Sequence, residues 1–200
     1  MVNGAGFVER LAAPGNSGRP LIAELVSSIV RDEHRYPLSE LLRTDERQNH
    51  PMECDQACYR CLQRYSNQSY HGLLDWRLGL AFLQLLDDPE WNCGLDGDFS
   101  SPALRDWGVL ARRYVADLAR FSAVEQREAA GLVAFRIDGV RDWAVVVHPL
   151  WDTNALEGVV GEAVDEIERT AGSVPMFADT FELARRLVAV RQDLINPRPP

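Results

Sequence analysis

Three of the four cysteines in this chain fall within eight residues, as Cys54-x3-Cys58-x2-Cys61. Thiols spaced in this way converge on one point when the chain turns tightly, so the cluster fixes a local fold whatever surrounds it. Tetrahedral zinc takes four Cys or His ligands at roughly 2.0–2.3 Å. Outside a small disulfide-rich secreted chain, clustered cysteines are more often metal ligands or catalytic thiols than disulfide partners. The rival is a thiol redox pair or thiol sensor at Cys58-x-x-Cys61. That chemistry is usual where a strand runs into a helix start, and residues 45–53 do not read as such a strand. The expected cofactor is therefore one structural Zn2+. Cys54, Cys58 and Cys61 supply three ligands, and His71, ten residues beyond Cys61, is the expected fourth. A turn through Ser66-Asn67-Gln68 would bring it back. Cys93, beyond a predicted helix, His50, four residues before Cys54, and a site with three protein ligands only are the alternatives.

One absence narrows the chemistry. All 21 basic residues are arginine. Without lysine there is no P-loop, since that motif needs a lysine on the β/γ-phosphates, and no Schiff-base chemistry. The arginine bias also fits a GC-rich bacterial genome. The formal net charge of −9 argues against a duplex-binding module, which shows a basic stripe. Arg112-Arg113 and Arg185-Arg186 read as solvated helix faces. Nucleic acid, if met, is expected to be met indirectly, through a more basic partner. The longest apolar runs fall far short of the roughly 20 residues of a membrane span, and no signal peptide is visible. No membrane partner and a cytoplasmic location are expected.

The pattern along the chain is mixed. Gly4-Ala5-Gly6 reads as a turn into a short helix with Phe7, Val8 and Leu11 inward, and Pro20 opens a helix whose apolar face runs from Leu21 to Val30. A short helix is expected near Leu38–Leu42. Leu73 to Leu86 repeat at helical spacing, started by Asp75, with Arg77 on the surface. Residues 103–121 form an amphipathic helix with Trp107, Leu110, Tyr114, Leu118 and Phe121 on one face. Leu132–Ile137 and Trp143–Val147 read as strands joined at Asp138-Gly139. A helix capped by Asn154, a third strand at Val174–Ala178 and a last helix capped by Asp179 or Thr180 follow. The expected class is α+β: a mostly helical, zinc-stapled module over residues 1–100, then over 101–195 a helix and a small α/β module with a β-hairpin, and a disordered tail at 196–200.

The residues themselves resemble a known family. Cys54-Asp-Gln-Ala-Cys58-Tyr-Arg-Cys61-Leu, then Tyr65-Ser-Asn67-Gln68 and His71-Gly-Leu-Leu74-Asp75, are similar to the zinc-binding C-terminal domain of MrfA-like DEAD/DEAH-box helicases. That domain also occurs in subunits of DISARM-type phage-defence systems. Gly4-Ala5-Gly6-Phe7 resembles the glycine turn that precedes it, so the likeness covers roughly residues 1–88. The resemblance implies zinc at Cys54, Cys58 and Cys61. In the MrfA branch the fourth ligand is a cysteine at the position of Asn67, and Asn-Gln-x-x-His variants of the family put His71 in its place. It also implies a function in DNA processing, DNA repair or phage defence. The chain would be a non-catalytic accessory region working with helicase ATPase domains or a helicase subunit, with no ATPase of its own.

Two further features carry chemistry on paper. His148 follows an apolar strand, and strand ends are where sites often lie. With Asp152 and Asp179 nearby, it is the centre of the alternative reading, a small hydrolase. Asp96-Gly97-Asp98 lacks the further acidic ligands of a calcium loop and reads as a plain turn.

Overall fold

The computed structural model describes residues 5–31, 33, 38–45 and 48–197. Gly4 of the expected glycine turn, Pro37 and the last residues of the tail lie outside them. The chain is α+β and divides into two compact units, Met1–Asn92 and Cys93–Pro200. No helix among the described residues is long and apolar enough to cross a membrane.

The first unit is helical. It contains α1 (Ala5–Ala12), α2 (Leu21–Val30), α3 (Leu38–Leu41), the two-residue strands β1 (Thr44–Asp45) and β2 (Gln48–Asn49), α4 (His50–Glu53) and α5 (Trp76–Asp87). A 3-10 stretch, Tyr65–Leu73, precedes α5. The α2–α5 pair is the main packing contact. It buries Val26 from α2, and Trp76, Leu80 and Ala81 from α5. Asp87 at the end of α5 accepts a hydrogen bond from Ser27 of α2 and lies within ion-pair distance of Arg19 and Arg31, at 3.9 and 3.8 Å. Asp75 caps α5, accepting from the backbone N–H groups of Arg77 and Leu78 at 3.1 Å. The expected inward face of α1 is not formed. Phe7 and Val8 are exposed, as are Leu21, Ile22 and Leu25 of α2.

The second unit is built on a four-stranded sheet in the order β3-β4-β5-β6. The strands are β3 (Val124–Ala129), β4 (Leu132–Ile137), β5 (Ala144–Val147) and β6 (Met176–Asp179). The first three are antiparallel neighbours. β6 runs parallel to β5, reached through α7 (Gly158–Ala171). Every residue of β5, and all of β4 but Arg136, is buried. Covering alternate residues alike requires layers on both faces, and α6 (Trp107–Leu118) and α7 both pack on β4. The Asp138-Gly139 turn joins β4 to β5 as expected, with Gly139 at φ 80.

Strand β3 escapes the sequence reading because Val-Glu-Gln-Arg-Glu-Ala has no apolar alternation. Its pairing depends instead on the two-residue turn Ala130-Gly131, both at positive φ (46 and 78), the geometry that matches the twist of a hairpin. The Ala130 N–H donates to Glu166 Oε2 of α7 at 2.9 Å, and Arg136 pairs with its register partner Glu125 at 2.6 Å. Three further expectations shift. Phe121 lies beyond the end of α6 and is exposed. The helix expected from Asn154 begins only at Gly158, because Asn154 is held in a turn by Asp152. The last helix is broken at Arg186 into α8 (Thr180–Arg185) and α9 (Leu187–Ile195). Asp179 does cap α8, accepting from the Glu182 N–H at 2.8 Å.

Candidate metal centre

The three clustered cysteines meet His50. The four ligand atoms of His50, Cys54, Cys58 and Cys61 all lie within 4.8 Å of one another. Local structure accounts for each. Asn49 caps α4 by accepting from the Met52 N–H at 3.4 Å. His50 opens that helix, and the Cys54 N–H donates to the His50 carbonyl at 2.9 Å, closing the turn. An i,i+4 pair lies on one side of such a turn. Cys58 and Cys61 flank a second turn, in which the N–H groups of Cys61 and Gln63 both donate to the Cys58 carbonyl at 3.0 Å.

Three of the six separations match a tetrahedron. Bonds of about 2.3 Å to sulfur and about 2.0 Å to nitrogen place sulfurs about 3.8 Å apart and sulfur from nitrogen about 3.5 Å. Cys58 Sγ lies 3.8 Å from Cys61 Sγ, and Cys54 Sγ lies 3.9 Å from it. Cys58 Sγ lies 3.5 Å from His50 Nε2. All the thiols are free of disulfides. The His50 ring is oriented for ligation. Its Nδ1 faces the Leu41 carbonyl at 2.8 Å, so the N–H sits on Nδ1 and Nε2 offers its lone pair to the site, the usual arrangement of a metal-binding histidine.

The first turn of α5 holds this loop from the other side. Trp76 Nε1 donates to the Cys54 carbonyl at 3.1 Å, and the Trp76 N–H donates to the Gln56 carbonyl at 2.9 Å. Arg77, expected on the surface, is buried. Its guanidinium donates to the carbonyls of Cys54 (2.8 Å), Asp55 (2.9 Å) and Pro51. Three thiolates and a neutral imidazole around a divalent ion leave one net negative charge, and Arg77 puts a buried positive charge on the same loop. The Cys58 N–H also donates to Cys61 Sγ at 3.2 Å. Burial alone would raise the Cys58 thiol, but backbone and His50 hydrogen bonds bring it down to about 6. Cys54, more deeply buried beside two other thiols, is pushed up instead.

His71, the expected fourth ligand, stands elsewhere. Its Nε2 donates to the Arg64 carbonyl at 3.0 Å and to Asn67 Oδ1 at 2.9 Å, and its ring meets Tyr59 edge-on at 5.5 Å. Residues Tyr65–Leu73 wind into the 3-10 stretch, so His71 packs within it and does not return to the sulfurs. Asn67 likewise serves the local backbone, accepting from the Arg64 N–H at 2.7 Å and donating to the Leu62 carbonyl at 3.0 Å. The signal that points to His50 is its i,i+4 spacing from Cys54.

Cys93 and His148 pair in the second unit. Cys93 Sγ lies 3.5 Å from His148 Nδ1, which also accepts from the Leu150 N–H at 3.3 Å. Phe99, Trp107 and Trp151 form a connected aromatic cluster, with Trp107 and Trp151 against His148, and Trp151 Nε1 donates to the Cys93 carbonyl at 2.9 Å. Burial pushes the thiol up to about 12 and the imidazole down to about 4. The pair is thus neutral, and both side chains are buried. Asp152 and Asp179 are occupied as turn and helix caps. Asp96 and Asp98 form a plain turn.

Compared with family models, with curated proteins and with solved structures, the chain matches none.

Two predictions follow from these geometries. His50→Ala should cost the protein most of its bound metal, whereas His71→Ala should retain it; metal content after gel filtration separates the two, and the reverse pattern would contradict the assignment. For His148, the unfolded chain takes up a proton below pH 6.5 that the folded chain refuses until about pH 4. The second unit should be at full stability above pH 6.5 and lose roughly 3 kcal/mol as pH falls to about 4. Urea unfolding of wild type and His148→Gln over that range should show a shallower acid slope in the variant.

Proposed function

We propose that this protein is a structural-zinc binding module, the accessory part of a DNA-processing machine driven by a superfamily-2 helicase motor. The observation that carries the first half is the closed set of His50, Cys54, Cys58 and Cys61. Four protein ligands leave no open position for substrate or activated water, which is the pattern of a structural site and not a catalytic one. Sulfur-rich, tetrahedral donor sets favour zinc among the common divalent ions. In the absence of a large core, the ion supplies folding free energy, which in small zinc-dependent folds amounts to roughly 10–16 kcal/mol.

The second half draws on the resemblance of residues 54–75 to the zinc-binding domain of MrfA-like helicases. It also draws on the lack of lysine, which leaves the chain without a P-loop of its own. Its partner on this reading is a helicase ATPase domain or subunit, and nucleic acid is handled together with that motor.

Chelation tests the zinc reading. The purified protein should contain about one zinc per chain. Its removal by a strong chelator should open the backbone amides of residues 48–92 to hydrogen exchange while those of β4 and β5 stay protected. Exchange that ignores the chelator, or a metal content well under half an equivalent, would contradict it. For the motor, the tagged chain recovered from its own cells should bring with it a lysine-bearing P-loop ATPase whose unwinding rate rises on adding the zinc-loaded chain. An unwinding rate indifferent to the chain would count against that role.

A further inference from the structure

The loop that closes the metal site turns its aromatic side chains outward. Tyr59, Tyr65 and Tyr70 are 62%, 85% and 61% exposed. Single exposed aromatics are ordinary on protein surfaces, but these three fall in one short stretch, residues 59–70. The Tyr59 ring meets the edge of His71 at 5.5 Å. His71 Nε2 donates to the Arg64 carbonyl, and Arg64 Nη1 donates back to the carbonyls of Tyr59 and Gln63 at 3.3 and 2.7 Å. Tyr65 and Tyr70 neighbour Arg64 and His71 in the chain.

The charge of this stretch differs from that of the protein around it. Residues 56–74 contain Arg60 and Arg64 and no Asp or Glu, the longest acid-free stretch of a chain whose net charge is −9. Arg60 is paired with Glu53 at 2.6 Å. The Arg64 guanidinium donates to backbone carbonyls and, among the described residues, meets no carboxylate. Exposed aromatic faces beside an uncompensated arginine are the means by which proteins hold unpaired nucleotides: bases stack on the rings and the cation meets the phosphates. A duplex hides its base faces and would require a longer basic stripe.

We propose that the Tyr59–Tyr70 face of the metal-held loop binds single-stranded nucleic acid, its tyrosines stacking unpaired bases and Arg64 meeting the backbone. This inference rests on the reading of the first unit as a metal-held binding module, and it assigns that module a ligand of its own, independent of the motor.

The test is fluorescence anisotropy of the full-length, zinc-loaded chain at low salt. The probes are labelled oligo-dT and oligo-U of roughly 16 nucleotides and a duplex of the same length. Single strands should bind in preference to duplex, and the dT and U arms show whether DNA or RNA is the better ligand. Tyr65→Ala and Tyr70→Ala should each weaken binding about fivefold or more, while Tyr65→Phe keeps it, because stacking needs the ring and not the hydroxyl. Arg64→Ala should weaken binding and lower the salt dependence by about one phosphate contact. Zinc content measured on each sample keeps this inference apart from the metal reading. Binding that depends on Tyr65 in a chain without zinc would sink the metal reading and leave this one standing. A zinc-loaded chain that prefers duplex, binds no single strand, or binds it equally well as Tyr65→Ala would overturn the proposal; in the last case the exposed tyrosines would be left as a surface for a protein partner.

Discussion

The convergence of one imidazole and three thiols on a single point is what the first unit depends on. Among the described residues that unit buries six apolar side chains, Val26, Leu41, Cys54, Trp76, Leu80 and Ala81, whereas the second buries thirty. A core so small rarely sustains a fold of this length, and nature supplements such cores with disulfides or metals. Here the connection runs from the ligands outward. The Cys54 carbonyl accepts from both Trp76 and Arg77. The loop therefore fixes the first turn of α5, and α5 in turn packs on α2. His50 extends the same chain of contacts to Leu41 through Nδ1. Without an ion, the three thiols and the imidazole would be left facing one another, beside a small apolar core.

The second unit is held by a different physical term. Its two central strands are buried on both faces and its helices supply the covers, so burial of apolar surface stabilises it. Its buried Cys93–His148 pair is neutral, and the buried Arg127 guanidinium lies over the Trp143 ring at 4.1 Å. The His/Cys cluster and the larger apolar core thus fall in different units. The loop of the cluster presents Tyr59, Tyr65 and Tyr70 to solvent.

The parts of the fold that were legible in the sequence are those fixed by periodicity or by turn chemistry. The apolar spacing of α5 and α6, the runs of β4 and β5, the Asp138-Gly139 turn and the caps at Asp75 and Asp179 could all be read in advance. Strand β3 could not, because its residues are charged and its place is set by the Ala130-Gly131 turn and by pairing with β4. The exposed faces of α1 and α2 carry a helical pattern indistinguishable from that of a buried one. At the site, the three cysteines were evident from spacing alone, and the histidine was not. Loop length favoured His71, but length says nothing of a 3-10 stretch that folds the histidine back onto Arg64 and Asn67. The deciding cue was a helical one, the four-residue step from His50 to Cys54. Arg77 was likewise hidden, since its burial depends on carbonyls more than twenty residues away.

The central claim, a closed site of three cysteines and His50, is tested most directly by X-ray absorption at the zinc edge of the purified protein. The account predicts three sulfur scatterers at about 2.3 Å and one imidazole nitrogen at about 2.0–2.1 Å, with the nitrogen shell lost in His50→Cys in favour of a fourth sulfur. A wild-type spectrum with four sulfurs, or with an oxygen shell marking an open position, would contradict it, as would a nitrogen shell that persists in His50→Cys.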